Sequence, residues 1–327
     1  MRIVAETGRE DIALVSIVET GGGRLIECVE SLQPPLPREE KWILTISTLD
    51  GCPVRCRFCD AGGPARGVLT KDEILEQIDF LVARRFPDRV VPVKKFKIQF
   101  ARMGEPSLNP HVLDVLAALP NLYNAPGLAP SFSTVAPAGK DAFFEALLEI
   151  KRQKYGPRFQ MQFSIHTTDR KLRDWLIPIR KWPFEKIAAY GKRFVEGDGR
   201  KVTLNFALGN GMPLDPENLL RFFSPDIFFI KMTPVNPTHE AARHRIFSHD
   251  SFLEETAARL KQAGYEALIS IGELEENRIG SNCGMYITRY RKQKASEGAY
   301  IYQLRKPTIH NPGPESPEES PKYPADI

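Results

Sequence analysis

Three of the five cysteines fall close together, in the stretch Gly51-Cys52-Pro53-Val54-Arg55-Cys56-Arg57-Phe58-Cys59-Asp60. Thiolates are ligands for soft metals. Three of them on one tight loop can each hold a different iron of a [4Fe–4S] cube, and such cubes usually take four cysteines. Cys28 and Cys283 stand alone, so no fourth cysteine lies nearby. One iron would then stay open, which suits a catalyst better than an electron carrier. The other reading is a zinc knuckle completed by His or Asp, although zinc sites more often use two separated pairs. Five cysteines in 327 residues make no disulfide scaffold. The triplet therefore points to a metal centre in a reducing compartment, the cytoplasm.

Such a centre needs a framework, and the sequence supplies one from residue 42 onward. Short runs rich in Ile, Val, Phe and Thr read as strands at Trp42–Ser47, Phe96–Ala101, Ser131–Val135, Phe159–His166, Val202–Leu208, Asp226–Met232 and Ala267–Ile271. Amphipathic runs between them read as helices at Lys71–Arg84, Pro110–Ala118, Asp141–Gln153, Phe184–Glu196, Pro216–Phe223 and Ser251–Ala263. Thr70 followed by Glu73 makes a capping box for the first of these. Alternating β and α implies parallel strands with crossover helices. The number of units predicts an α/β fold of the incomplete (βα)6 barrel type rather than a closed eightfold one. In βα barrels chemistry sits at the C-terminal strand ends. The cysteine triplet follows the first predicted strand, and Glu105, Ser133, His166 and Asn236 stand at the ends of later ones.

The chain divides into a small strand-rich extension (1–41), the barrel (42–272), a C-terminal extension carrying Cys283 (273–305) and a flexible proline-rich tail (306–327). Hydrophobic residues make up 42% and charged residues 26%, as in an ordinary globular enzyme. No apolar run is long enough to span a membrane, and no secretion signal is expected. The net charge of +4 is unevenly spread. Residues 1–41 hold eight acids and five bases, whereas 42–305 hold 29 acids and 38 bases. A basic body suits anionic ligands such as phosphates. The run Arg289–Lys294 is either a phosphate grip or a solvated helix face.

The triplet is the signature of the radical S-adenosylmethionine (SAM) superfamily, and the resemblance extends beyond it. Arg102-Met103-Gly104-Glu105-Pro106 follows the second predicted strand, where that superfamily carries a glycine-and-glutamate motif for the SAM amino group. Met103-Gly104-Glu105-Pro106-Ser107-Leu108-Asn109, Phe132-Ser133-Thr134, Ser164-Ile165-His166, Pro234-Val235-Asn236-Pro237 and Ser281-Asn282-Cys283-Gly284 occur in that order. Together they resemble the radical SAM enzymes that methylate adenine carbon 2 or carbon 8 in ribosomal and transfer RNA, over roughly residues 24–290.

That resemblance implies that Cys52, Cys56 and Cys59 hold the [4Fe–4S] cluster, and that Gly104, Glu105, Ser133, Ser164, His166 and Asn236 bind SAM. Cys283 would first receive a methyl group from one SAM. A second SAM would give the radical that activates it for addition to an electron-poor sp2 carbon. Glu27 aligns with an upstream glutamate that moves a proton during release. A flavodoxin- or ferredoxin-type reductant is implied. The substrate would be RNA or a smaller nucleotide-like molecule.

Each residue also has a plain reading. Ser133 and Ser164 can simply end strands, His166 can be a packed histidine, and Cys28 a small buried apolar residue. Two features depart from the RNA methylases. Their further cysteine, seven residues before the first cluster cysteine, forms the disulfide that frees the product, and here that position is Thr45. Their N-terminal accessory domain is larger than the 41 residues found here. Three readings follow: a radical C-methylase, a radical SAM enzyme that abstracts hydrogen without methylating, and a metal-stabilised nucleic-acid-binding module.

Overall fold

The computed structural model describes residues 1–63, 65–196, 199–248, 250–270 and 285–295. Cys283, most of the C-terminal extension and the whole tail 306–327 lie outside the described residues. The strands are β1 (Arg2–Arg9), β2 (Ala13–Glu19), β3 (Leu25–Ser31), β4 (Lys41–Ile46), β5 (Leu49–Asp50), β6 (Gly67–Val68), β7 (Lys95–Phe100), β8 (Leu128–Thr134), β9 (Gln160–Ser164), β10 (Val202–Leu208), β11 (Phe228–Pro234) and β12 (Ala267–Ile269). The helices are α1 (Lys71–Arg85), α2 (His111–Ala118), α3 (Asp141–Ile150), α4 (Arg170–Leu176), α5 (Phe184–Val195), α6 (Pro216–Leu220), α7 (His239–Arg243), α8 (Asp250–Gln262) and α9 (Met285–Ala295).

One 10-stranded sheet runs β1-β2-β3-β4-β7-β8-β9-β10-β11-β12. From β4 to β12 every pairing is parallel. The extension β1–β3 continues the same sheet antiparallel. It is tied to α1 by Thr20 Oγ1 donating to Glu73 (2.7 Å) and by Arg84 donating to Glu6 (2.7 Å). The capping box of α1 forms, with Glu73 also bonding the Thr70 backbone.

The two faces of the parallel region differ. Trp42, Leu44, Phe96, Ile98, Phe132, Phe163, Leu204, Phe206, Ile230 and Met232 are fully buried under the helices. Aromatic rings lock this layer: Phe132 meets Phe143 and Phe144 of α3, and Phe163 meets Tyr190 of α5. The opposite, inner face carries Thr45, Lys97, Gln99, Ser133, Gln162, Ser164, Asn205 and Lys231 by strand alternation. Parallel strands packed on both faces read as continuous apolar runs. These strands alternate instead, so their inner face is built for water or a ligand.

Candidate active site

The cysteine triplet lies between β5 and β6, on a loop whose shape is fixed by its own backbone. Cys59 N donates to Cys56 O (3.1 Å) and Gly63 N to Cys52 O (3.2 Å). Arg55 takes a positive φ of 56°. A Cβ at Gly62 would sit 3.0 Å from the Arg55 Cα, so the turn is tightly packed against its own backbone there. Distant elements brace the loop. Arg57 N donates to Leu176 O (3.0 Å) and Arg57 Nε to Trp175 O (2.8 Å), at the end of α4. The Asp60 carboxylate caps α7 by accepting from His239 N (3.0 Å) and Glu240 N (2.9 Å), and Thr238 Oγ1 donates to Phe58 O (2.9 Å).

Cys52, Cys56 and Cys59 are all half-buried and are not bridged to one another. Burial, with Cys52 and Glu105 nearby, pushes the Cys56 thiol up. Metal coordination would reverse that by holding the thiolate. Among the described residues no three His, Cys, Asp or Glu side chains group around a single ion. Thiolates that each take a different iron of a cube need no such convergence. Three soft donors on one braced, half-open loop therefore fit an iron–sulfur cluster better than zinc.

The strand ends converge on this loop. Gly104, after β7, has φ 102°, and a Cβ there would lie 2.6 Å from the Leu49 side chain. Only glycine lets the Met103–Gly104 backbone press against β5, where Met103 O accepts from Thr48 N (2.8 Å) and Leu49 N (3.1 Å). Glu105 is buried and straps two strand ends together. Its Oε1 accepts from Ser107 Oγ (2.7 Å) and Thr134 Oγ1, and its Oε2 from Val135 N (2.9 Å). Burial nevertheless pushes its carboxyl up. Oε2 keeps lone-pair capacity for an ammonium.

Ser133 on β8 and Ser164 at the end of β9 share the inner face, in register with Gln162 and Asn205 respectively. His166 follows with φ 66°, buried, its Nδ1 accepting from Ala207 N at 3.0 Å. Burial and the neighbouring Arg173 push it down to about 3. The ring is neutral, and the bond at Nδ1 leaves the proton on Nε2. Phe58 of the cysteine loop meets this ring edge-on at 4.7 Å. Asn236, after β11, is half-buried and its carbonyl accepts from Thr238 N (2.7 Å), the same residue whose hydroxyl holds Phe58 O.

Glu27 is fully buried on β3. It accepts from Arg102 Nε (2.7 Å) and from Ile287 N of α9. The same helix is seated by Thr288 Oγ1 on Asp60 O (2.8 Å) and by Arg291 on Leu25 O (2.7 Å) and Asp50 (2.8 Å). Arg291 is thus a structural anchor, neither a phosphate grip nor part of a solvated helix face. Thr45 pairs with Val29 across β3 and β4. Cys28, one residue away, points to the opposite face. Its cross-strand partner Ser16 bonds Glu6, which bonds Arg84 of α1. Burial pushes the Cys28 thiol up to about 12. Cys28 and Thr45 therefore do not share a site.

Sequence reading missed Arg102, Asp60 and Asp50, because each acts through a partner distant in sequence. Residues 46–223 match the family described as the Radical SAM superfamily. The chain belongs to the radical SAM superfamily and is a radical SAM enzyme. Within it, the chain is 30% identical over 271 residues to "Probable dual-specificity RNA methyltransferase RlmN" of Synechococcus elongatus, covering 78% of this chain and 71% of that one. The protein of the same name from Synechococcus sp. strain RCC307 is 29% identical over 264 residues, covering 78% and 71%. In fold it is similar to a radical SAM methyltransferase from Sphaerobacter thermophilus, with TM-score 0.71 and 22% identity over 86% of this chain and 80% of that one.

Proposed function

We propose that the protein is a SAM-dependent radical C-methyltransferase acting on an adenine-like sp2 carbon, with Cys283 as methyl carrier. The observation that carries this reading is the meeting of the cysteine loop with the strand ends. Phe58 lies against His166, and Thr238 joins Phe58 to the turn after Asn236. Cys52, Cys56 and Cys59 would hold a [4Fe–4S] cluster, and Gly104, Glu105, Ser133, Ser164, His166 and Asn236 would hold SAM. When bound, that pair supplies a 5′-deoxyadenosyl radical. The chain's own share is positional. Glu105 keeps Thr134 and Val135 against the Gly104 turn, and His166 offers a neutral Nε2–H donor. The RlmN relatives support methyl transfer and an RNA substrate; a smaller nucleotide-like molecule is the other substrate open to this chain.

The sheet is read as an incomplete (βα)6 barrel, supported by one cavity that touches residues of β3, β4, β7, β9, β10, β11 and β12. A depression beside the cysteine loop is lined by Arg55, Arg57, Arg243 and His244, with Glu240 paired to the last two; its net basic rim suits an acidic flavodoxin- or ferredoxin-type reductant. No described helix is long and apolar enough to cross a membrane; a cytoplasmic location accords with a thiolate-held cluster.

Mass spectrometry of the Cys283 peptide, after anaerobic reconstitution and incubation with SAM and reductant, tests the reading. One added methylene on Cys283, lost together with product formation in Cys283→Ala, is the expected result. Unmodified Cys283 alongside 5′-deoxyadenosine rejects the methyl-carrier role.

The placement of Thr45 and Cys28 favours a second reading, hydrogen abstraction without methylation. The inner face at Thr45 lacks the thiol that the methylases use, and Cys28 faces away from it. Deuterium passing directly from substrate into 5′-deoxyadenosine is its signature.

A further inference from the structure

Both ends of the cysteine loop hold the same helix. Asp50 stands two residues before Cys52, and Asp60 directly follows Cys59. Asp50 Oδ1 accepts from Arg291 (2.8 Å), and the Asp60 carbonyl accepts from Thr288 Oγ1 (2.8 Å). The two donors are three residues apart on α9, which puts them on one face of that helix. Ile287, four residues before Arg291, gives its N–H to Glu27 on β3, and Arg291 also donates to Leu25 O on the same strand (2.7 Å). Ile287 lies in the first turn of α9, where backbone N–H groups have no partner within the helix. Glu27 therefore caps α9 from a strand 260 residues earlier.

Packing alone does not call for these contacts. Tyr286 and Ile287 already bury apolar surface against the body. A helix of 11 residues is marginal by itself and needs a seat, but an apolar seat would serve. A threonine within a helix commonly turns its hydroxyl back to a carbonyl of the preceding turn. Thr288 reaches out to the cysteine loop instead. Nor does Asp50 depend on Arg291 for a counter-charge, since Arg66 lies 3.5 Å away. Together the contacts tie α9 to the cysteine loop and to β3 at once. The helix begins at Met285, and Cys283 precedes it by two residues. Covalent geometry therefore keeps the Cys283 Cα within roughly 7 Å of that of Met285.

We propose that Thr288 and Arg291 are positioning residues, which fix α9 to the two ends of the cysteine loop and so set where Cys283 is presented. A thiol from the end of the chain and a cluster loop near its start then keep one geometry. Neither residue touches the reacting atoms. Thr288 acts through Asp60, whose carboxylate also holds the start of α7 after the Asn236 turn. Asp60 thus links the cysteine loop, the turn assigned to SAM and α9. A misplacement of about an ångström at reacting groups can cost on the order of a hundredfold in rate, which is what such anchors guard against. The inference rests on the reading of Cys283 as methyl carrier.

Two substitutions in the full-length reconstituted protein test it. Thr288→Val removes the hydroxyl at nearly constant volume. Arg291→Met removes the charge, and Asp50 keeps Arg66. Hydrogen exchange of the 285–291 amides reads the seat itself and is expected to quicken in both variants. Iron content and SAM binding by titration calorimetry are expected to match the parent, which shows that the variants are folded and loaded. Methylation of Cys283 at saturating SAM is expected to slow severalfold in Thr288→Val and about tenfold in Arg291→Met, the scales of a neutral and a charge-assisted contact. KM for SAM stays where it was, and Thr288→Ser restores the parent rate. Parent-rate methylation in the double variant, or a loss that merely tracks iron content or SAM binding, overturns the proposal. If the parent itself leaves Cys283 unmethylated, the reading of the reaction fails on its own, and the anchors are read from the rate at which iodoacetamide alkylates Cys283. Alkylation about tenfold faster in the double variant keeps the positioning role; an unchanged rate removes it.

Discussion

The two ends of the sheet's inner face are built on opposite electrostatic plans. At the C-terminal ends charges are matched: Glu27 with Arg102, Asp50 with Arg291, and Asp60 with the start of α7. At the N-terminal ends five cations face one cavity without a lining carboxylate among the described residues. A matched buried charge has its partner inside the protein and acts as a strap. A set of like charges facing a cavity repels itself. The chemistry we assign to the C-terminal end therefore needs precise placement. Substitutions should separate the two plans: removing a charge should cost stability at the first end and gain it at the second.

The largest such effect is expected at Glu27. Glu27→Ala leaves Arg102 buried without its carboxylate and frees the Ile287 N–H. Removing one partner of a buried pair costs about 3–5 kcal/mol, readable by urea denaturation. Glu27→Gln keeps an acceptor for both donors and should cost less. Replacing the pair together, Glu27→Met with Arg102→Met, should recover most of the loss, since no orphan charge remains. If Glu27→Ala were as stable as the parent, Glu27 would not be a strap, and its expected role as a proton carrier would gain weight.

These pairings explain what was legible in the sequence. The cysteine spacing, the Gly104–Glu105 turn and the order of strands could be read directly, because each is a local pattern. The parallel order followed from the alternation of β-rich and helical runs. Which face the polar positions would line did not follow from it. Arg102 looked like one residue of a motif until β3 brought Glu27 beside it, 75 residues away in sequence. The basic run near Arg291 read as a solvated helix face or a phosphate grip, yet Arg291 reaches Asp50, 241 residues earlier. Partners so distant follow from sheet order and helix docking, which local periodicity does not encode.

An effect that grows only as pH falls is expected at His166. Its folded value of about 3 lies below the ordinary histidine value of 6.5. The folded state therefore prefers the neutral ring. The stabilisation this gives is fully present above pH 6.5 and is lost as pH falls from there toward 3. The slope is about 1.4 kcal/mol per pH unit for a single group. His166→Asn, which keeps an acceptor near Ala207 N, should flatten the stability profile in that window while leaving stability at neutral pH closer to the parent. An unchanged profile would mean that the ring takes up a proton freely in the folded protein, and the neutral donor assigned to it would be lost.

The smallest effect is expected at Cys28, and it bears on the release step. Cys28 faces α1, is fully buried, and has its thiol pushed up to about 12, whereas Thr45 faces inward. A thiol that stays protonated behind the sheet is neither a nucleophile nor a disulfide partner for an inner-face adduct. Cys28→Ala should cost about 1 kcal/mol of stability, as for a typical core truncation, and leave turnover as it was. Thr45→Cys is the informative counterpart, because it places a thiol on the inner face itself. If product is freed from Cys283 through a disulfide, Thr45→Cys should accelerate release. It should also yield a disulfide between the introduced thiol and Cys283, detectable by mass spectrometry, and Cys28→Ala should not alter either. Loss of turnover in Cys28→Ala with stability retained would mean that the β3 face rotates during catalysis, and the contrast drawn between the two ends of the sheet would no longer describe the working enzyme.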